Sequence, residues 1–306
     1  MHATATRAWT VTRRALTPSA VHGLAIEALW SAAHLALYPL GVADEALDAQ
    51  FDGQNLRELD PVHRGMLCTD LDAAGTPILL VHGMVDNRSI FTFLRRALRR
   101  RGFGRVCTMN YSVFTSDVRT AAKELGERVE ELCRVTGYDQ IHVIGHSMGG
   151  VISRYYVQRL GGDSRVHTLV TMGSPHGGTE LARLLPLPLT RQLRPDSDVV
   201  AELREPAPGC RTRFVAIWSD LDQLMLPLEG ARIDHPDLTV RNVRVPDVGH
   251  MSLPVNGRVV REVVATLAKL DHDGRTVAGG VTSLAERRAA TRSKPGAAIR
   301  RAAAPA

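Results

Sequence analysis

From residue 77 onward the chain alternates short apolar runs with longer stretches in which apolar residues recur every three to four positions. Continuous short runs suit strands buried on both faces, and the longer period suits helices with one apolar side. Strands are predicted at residues 77–82, 105–110, 140–146, 166–172, 213–218 and 239–245. The helical spacing falls at residues 87–101, 115–135 and 257–270, with a further helix beginning near Val151. In the first of these, Ile90, Phe91, Phe93, Leu94 and Leu98 share a face, arginines take the other, and Asn87 suits the cap. Strand and helix in alternation predict an α/β class, a mostly parallel sheet flanked by crossover helices.

Two stretches depart from this rhythm. Between Gly177 and Thr212 it gives way to Leu184-Leu185-Pro186-Leu187-Pro188-Leu189 and then a polar, acidic, proline-bearing segment. A small inserted cap or lid is expected there, with a connecting loop that shields the sheet as the alternative. Near the N-terminus, Arg13-Arg14 precede a mostly apolar stretch at residues 20–42. Glu27, His22 and His34 interrupt it, and Leu24, Ile26, Leu29, Trp30, Leu35 and Leu37 suit an amphipathic helix packed on the domain. An interfacial anchor and a processed export signal are the weaker readings. The expected division is a helical extension and lead-in at 1–75, a domain at 76–271 holding the insertion at about 177–212, and a tail at 272–306.

Composition changes this picture little. Across 306 residues, 44% hydrophobic content is ample for a buried core. The net charge of +6 invites an anionic partner, but seven basic residues against one acid after Asp273 account for it, leaving the rest formally neutral. That tail, rich in alanine and poor in aromatics, reads as disordered, with weak contact to anionic membranes as its expected use. No nucleic-acid motif accompanies the charge, so no nucleic acid is expected as partner. A cytoplasmic protein, membrane-associated at most, is the expectation, with export left open. Cys68, Cys107, Cys133 and Cys210 lie far apart without metal-ligand spacing and read as free thiols.

The candidate chemistry centres on Gly145-His146-Ser147-Met148-Gly149, placed between a predicted strand and a predicted helix. A serine between two glycines at such a junction is a nucleophile elbow: the turn is so tight that side chains at 145 and 149 would strike neighbouring backbone. A serine needs a base to lose its proton, and the base needs an orienting acceptor. In this architecture the acid follows the nucleophile and the histidine comes last. His250, on a loop just past the last strand, fits the base, whereas His235 precedes that strand. For the acid, Asp220 and Asp222 both follow the fifth strand, and Asp222 is chosen because some length of loop is needed to turn toward the histidine. Asp220 is then a turn or capping residue. An oxyanion hole requires two donors, assigned to the backbone N–H of Met148 and of Met84. His82 is expected to brace the Met84 loop.

Three segments together resemble the bacterial lipase and esterase branch of the α/β-hydrolases. They are Gly145-His146-Ser147-Met148-Gly149-Gly150, the His82-Gly83-Met84 loop, and Met172-Gly173-Ser174-Pro175-His176-Gly177-Gly178-Thr179. The resemblance spans roughly residues 76–270. It implies an α/β-hydrolase fold, a Ser147, His250, Asp222 triad, and the third segment bordering the active-site cleft. It implies cleavage of carboxylic esters through an acyl-enzyme, with a hydrophobic acyl-ester substrate and no cofactor. An acyltransferase would use the same residues, and a catalytically silent ligand-binding relative would be expected to have lost one of them. Some members of the wider family hold calcium near the histidine loop, but Asp234 and Asp237 are too few ligands to predict a metal here. The N-terminal segment and the basic tail lie outside the resemblance.

Overall fold

A computed structural model describes residues 75–84, 88–109, 117–184 and 187–268, together with Ala25 and Glu27. The basic tail, Cys68, Asn87 and most of the N-terminal stretch lie outside these residues; Ala25 and Glu27 are both helical. Six strands form one parallel sheet: β1 (Ile78–Val81), β2 (Val106–Met109), β3 (Ile141–His146), β4 (Val166–Met172), β5 (Arg213–Ser219) and β6 (Thr239–Val245). Their spatial order is β2-β1-β3-β4-β5-β6. The chain therefore runs outward from β1 to β2 and returns on the other side of β1 to build β3. This reversal leaves a crevice beyond the carboxyl ends of β1 and β3, the place where open parallel sheets bind ligands.

The central strands are buried on both faces, as their unbroken apolar runs require. Successive residues of β1 feed opposite sides: Leu79 and Val81 join one core cluster, Ile78 and Leu80 the other. The first cluster is completed by α2 (Val118–Thr136) and α3 (Met148–Arg159), the second by α1 (Thr92–Arg100) and α6 (Gly257–Leu267). The result is a sheet between two helical layers.

Helix boundaries shift where local hydrogen bonding decides them. The α1 helix begins at Thr92, after a 3-10 turn at Arg88–Phe91 that carries Ile90 and Phe91 into the core. The start of α2 is set by Asp117, whose backbone is extended and whose carboxylate accepts from Arg119 N–H at 3.0 Å. Its end is set by Gly137 at φ 72°, donating to the Cys133 carbonyl. Cys133 is buried, and burial pushes its thiol pKa up; Cys107, Cys133 and Cys210 form no disulfide with one another.

The stretch at residues 177–212 is not an open loop. It holds two short helices, α4 (Pro188–Gln192) and α5 (Asp198–Glu202), and places Leu189, Leu193, Val199 and Leu203 in the core cluster on the α2 and α3 side. Polar ties fix it there. Gln192 accepts from Val118 N–H at 2.9 Å, Arg154 donates to the Leu203 carbonyl at 2.8 Å, and Arg119 pairs with Glu202. Leu184 and Leu187 remain exposed. No helix among the described residues is long and apolar enough to cross a membrane.

Candidate active site

Strand β3 ends at His146 and α3 begins at Met148, leaving Ser147 alone in the turn. Its backbone sits at φ 53°, ψ −127°, a region costly for a residue with a side chain, on the order of 1–3 kcal/mol. Ser147 N–H donates to the Met172 carbonyl at 2.9 Å, and the Ser147 carbonyl accepts from Gly150 N–H at 3.1 Å. The residue is half-buried at the N-terminus of α3, at the carboxyl end of β3. Both flanking glycines are sterically required. A Cβ at Gly145 would lie 2.5 Å from Gly150 Cα, and one at Gly149 would lie 2.3 and 2.4 Å from the carbonyl oxygens of Val81 and His82.

That second approach brings the start of α3 against the end of β1 and the loop that follows. Met84 is half-buried and packs on the same core cluster that contains Met148. His82 is buried, and its Nδ1–H donates to the Gly83 carbonyl at 2.7 Å, a contact within the turn that carries Met84. The two residues expected to supply oxyanion donors thus flank the same crevice.

Asp222 and His250 meet as expected from their places after β5 and β6. His250 Nδ1 lies 3.0 and 2.9 Å from the two carboxylate oxygens of Asp222, and both side chains are almost fully buried. Asp222 Oδ1 also accepts from Leu224 N–H at 3.0 Å, which fixes the carboxylate plane. With the proton held on Nδ1 by the carboxylate, the neutral imidazole carries its basic lone pair on Nε2. Gly173 at φ 56° lies directly beneath this pair: a Cβ there would be 2.8 Å from Asp222 Oδ2 and 3.1 Å from His250 Nδ1. The Gly-Ser-Pro-His-Gly-Gly-Thr segment therefore borders the site. Thr179 ties it to the loop after Asp222, donating to the Leu224 carbonyl at 2.9 Å and accepting from Leu226 N–H at 3.1 Å.

Asp220 faces elsewhere. It pairs with Arg244 and accepts from Asp247 N–H at 2.9 Å. His235 binds the Glu205 carbonyl at 2.9 Å through Nε2, and Asp237 accepts from Ala207 N–H at 2.8 Å. Both thus serve the segment that precedes β6. Burial drives the pKa of His176 well below the usual histidine value, and its Nε2 shares a hydrogen bond with Thr171 Oγ1 at 2.9 Å.

Several residues at the site carry no signal in the sequence pattern. His146 is buried beside Ser147; its Nε2–H donates to the His250 carbonyl at 3.2 Å, with the two rings 4.9 Å apart. Ser219 Oγ accepts from Val248 N–H at 3.2 Å, and Gln223 accepts from His250 N–H at 3.4 Å. Glu27 accepts from Met251 N–H at 2.6 Å and from Ser252 N–H at 2.9 Å. A gatekeeping glycine such as Gly173 could have been suspected from its motif; Glu27, more than two hundred residues from its partners, could not.

A family model described as alpha/beta hydrolase fold matches residues 76–194. Triacylglycerol lipases of Pseudarthrobacter phenanthrenivorans and Burkholderia plantarii are each 30% identical to this chain over 114 residues, 35% of this chain. The match spans only about a third of the length of these relatives, 35% and 31% respectively. Among solved structures, lipase B of Aspergillus fumigatus aligns with a TM-score of 0.57 at 16% identity, over 63% of this chain and 52% of that one. Mature lipase BlEst2 of Bacillus licheniformis gives 0.52 at 16% identity, over 64% and 93%. The family match over residues 76–194 and the sheet topology agree on an α/β-hydrolase fold. Its sequence similarity runs to the lipases of that fold.

Proposed function

We propose that the chain hydrolyses carboxylic esters of the lipase or esterase type, with Ser147 as nucleophile, His250 as base and Asp222 as its orienting acid. The observation that carries this reading is the buried, two-oxygen grip of Asp222 on His250 Nδ1, combined with a strained serine at the crevice. In the reaction, His250 Nε2 takes the Ser147 proton as Oγ bonds to the acyl carbon. The carbonyl oxygen, now negative, is met by the N–H groups of Met148 and Met84. Such donors act where charge develops, each worth on the order of 3 kcal/mol in the transition state. Collapse breaks the ester C–O bond, His250 returns the proton to the departing alcohol, and a water molecule activated by His250 frees the acid from the acyl-enzyme.

A hydrophobic acid part is the substrate favoured by this reading. Support comes from the similarity to triacylglycerol lipases and from the exposed Leu184, Leu187, Leu224 and Leu226, whose segments meet through Thr179. Weak contact of the basic tail with anionic membranes belongs to the same proposal and rests on the tail's charge alone. A p-nitrophenyl ester series from acetate to palmitate tests the reading. Turnover above background that is lost in His250→Ala supports it; no turnover across the series by the native chain contradicts it.

A further inference from the structure

The loop that presents His250 is held almost amide by amide. Asp247 N–H is taken by Asp220, Val248 N–H by Ser219 Oγ, and His250 N–H by Gln223, all three acceptors lying at or just after the end of β5. The next two amides, Met251 and Ser252, point away from that source of acceptors and toward Glu27. Its carboxylate uses Oε1 for Met251 N–H and Oε2 for Ser252 N–H, and it also accepts from Ser252 Oγ at 2.7 Å.

Glu27 is 9% exposed, and a buried carboxylate is retained only where its oxygens are satisfied. Here one oxygen has one donor and the other has two, all from Met251 and Ser252. The fit extends to Gly249. The three atoms nearest to a Cβ built there are Glu27 Cδ, Oε2 and Cγ, at 2.4, 2.4 and 2.6 Å. Glycine at the position before His250 thus makes room for the glutamate. Glu27 binds the amides after the histidine and packs against the glycine before it.

We propose that Glu27 is a positioning residue for His250, a side chain from ahead of the hydrolase domain that holds its histidine loop. The proposal rests on the assignment of His250 as the base. Without the carboxylate, the Met251 and Ser252 amides lose their acceptor inside the protein and the loop must shift to find another. Displacement of a reacting group by about 1 Å can cost a hundredfold in rate. Because Glu27 is buried and its oxygens are taken by Met251 and Ser252, the loss is expected on kcat rather than KM.

The test uses the full-length chain and its Glu27→Ala, Glu27→Gln, Gly249→Ala and Glu27→Ala/Gly249→Ala variants. Turnover of a soluble short-chain ester is measured together with hydrogen exchange of the 247–252 loop. Glu27→Ala is expected to lower kcat ten- to a hundredfold with KM within about threefold, and to speed exchange at residues 251 and 252 but not in α2. Glu27→Gln, which keeps one acceptor oxygen, is expected to fall between. Gly249→Ala should lower kcat in the native background and cost much less once Glu27 is alanine. Unchanged kcat and unchanged loop exchange in Glu27→Ala, or equal losses from Gly249→Ala in both backgrounds, would overturn the proposal. Exchange does not depend on turnover. A chain inactive on esters that still loses protection at 251 and 252 would contradict the assigned activity and leave the Glu27 grip standing.

Discussion

Asp222 grips His250 Nδ1 with both carboxylate oxygens, at 3.0 and 2.9 Å, while Asp220, two residues earlier, turns outward to Arg244. The two aspartates therefore make separable predictions. Asp222→Asn keeps the shape but removes the charge that fixes the tautomer and stabilises the imidazolium, so kcat/KM should fall by roughly a thousand- to ten-thousandfold. Asp220→Asn retains an acceptor for Asp247 N–H and should lose less than about tenfold. Steady-state kinetics of the two variants on one soluble ester decide the matter, and a reversed order would reassign the acid.

The elbow glycines differ in kind from glycines elsewhere in the fold. A methyl group at 149 would meet the carbonyl oxygens of Val81 and His82, backbone atoms that cannot swing aside. Gly149→Ala should destabilise the fold by about 1–3 kcal/mol or more and displace Ser147. At Gly257, on the first turn of α6, the nearest atom to an added Cβ is Arg261 Nη1 at 3.6 Å. Gly257→Ala should be neutral or stabilising by up to ~1 kcal/mol, since alanine favours helix. Urea midpoints of the pair provide the measurement.

Acid should weaken the fold through two buried histidines. His142 on β3 has both ring nitrogens buried with no hydrogen-bond partner, and burial, with His167 and Arg213 adding repulsion, drives its pKa well below the usual value. His176 is driven down by burial as well. In the unfolded chain each titrates near ~6.5, so below that pH the unfolded state binds protons that the folded state refuses. Stability should therefore be level above about pH 7 and fall as pH drops below ~6.5, by up to roughly 1.4 kcal/mol per pH unit for each histidine. His142→Leu removes an unsatisfied polar ring. It should reduce that slope by one proton and leave stability at pH 7 at least as high as in the native chain, as read by urea unfolding across pH 5 to 8.

Most of this architecture was legible because the sheet is parallel and buried. All six strands fall within two residues of the apolar runs that predict them, as β4 and β6 illustrate by matching at both ends. Helix starts were less legible, since Asp117 and the 3-10 turn before Thr92 act through hydrogen bonds that spacing does not encode. Residues 177–212 read as a break because their leucines pack in short helical turns too brief to show a period. The elbow was legible because strand end, serine and helix start fall within five consecutive residues, although the carbonyls that exclude a side chain at 149 belong to Val81 and His82. In the sequence Glu27 stands only as an interruption of an apolar stretch. Its partners lie 224 and 225 positions away, and pattern along the chain carries no information across that distance.

The central claim is that Ser147 is a nucleophile activated by His250, and covalent capture tests it most directly. Native protein, Ser147→Ala and His250→Ala are each treated with a fluorophosphonate, and intact mass and the labelled peptide are measured. The account predicts one adduct per native chain, carried on Ser147, with none on Ser147→Ala and labelling slowed by orders of magnitude in His250→Ala. An unlabelled native chain, or an adduct that persists in Ser147→Ala, would contradict it.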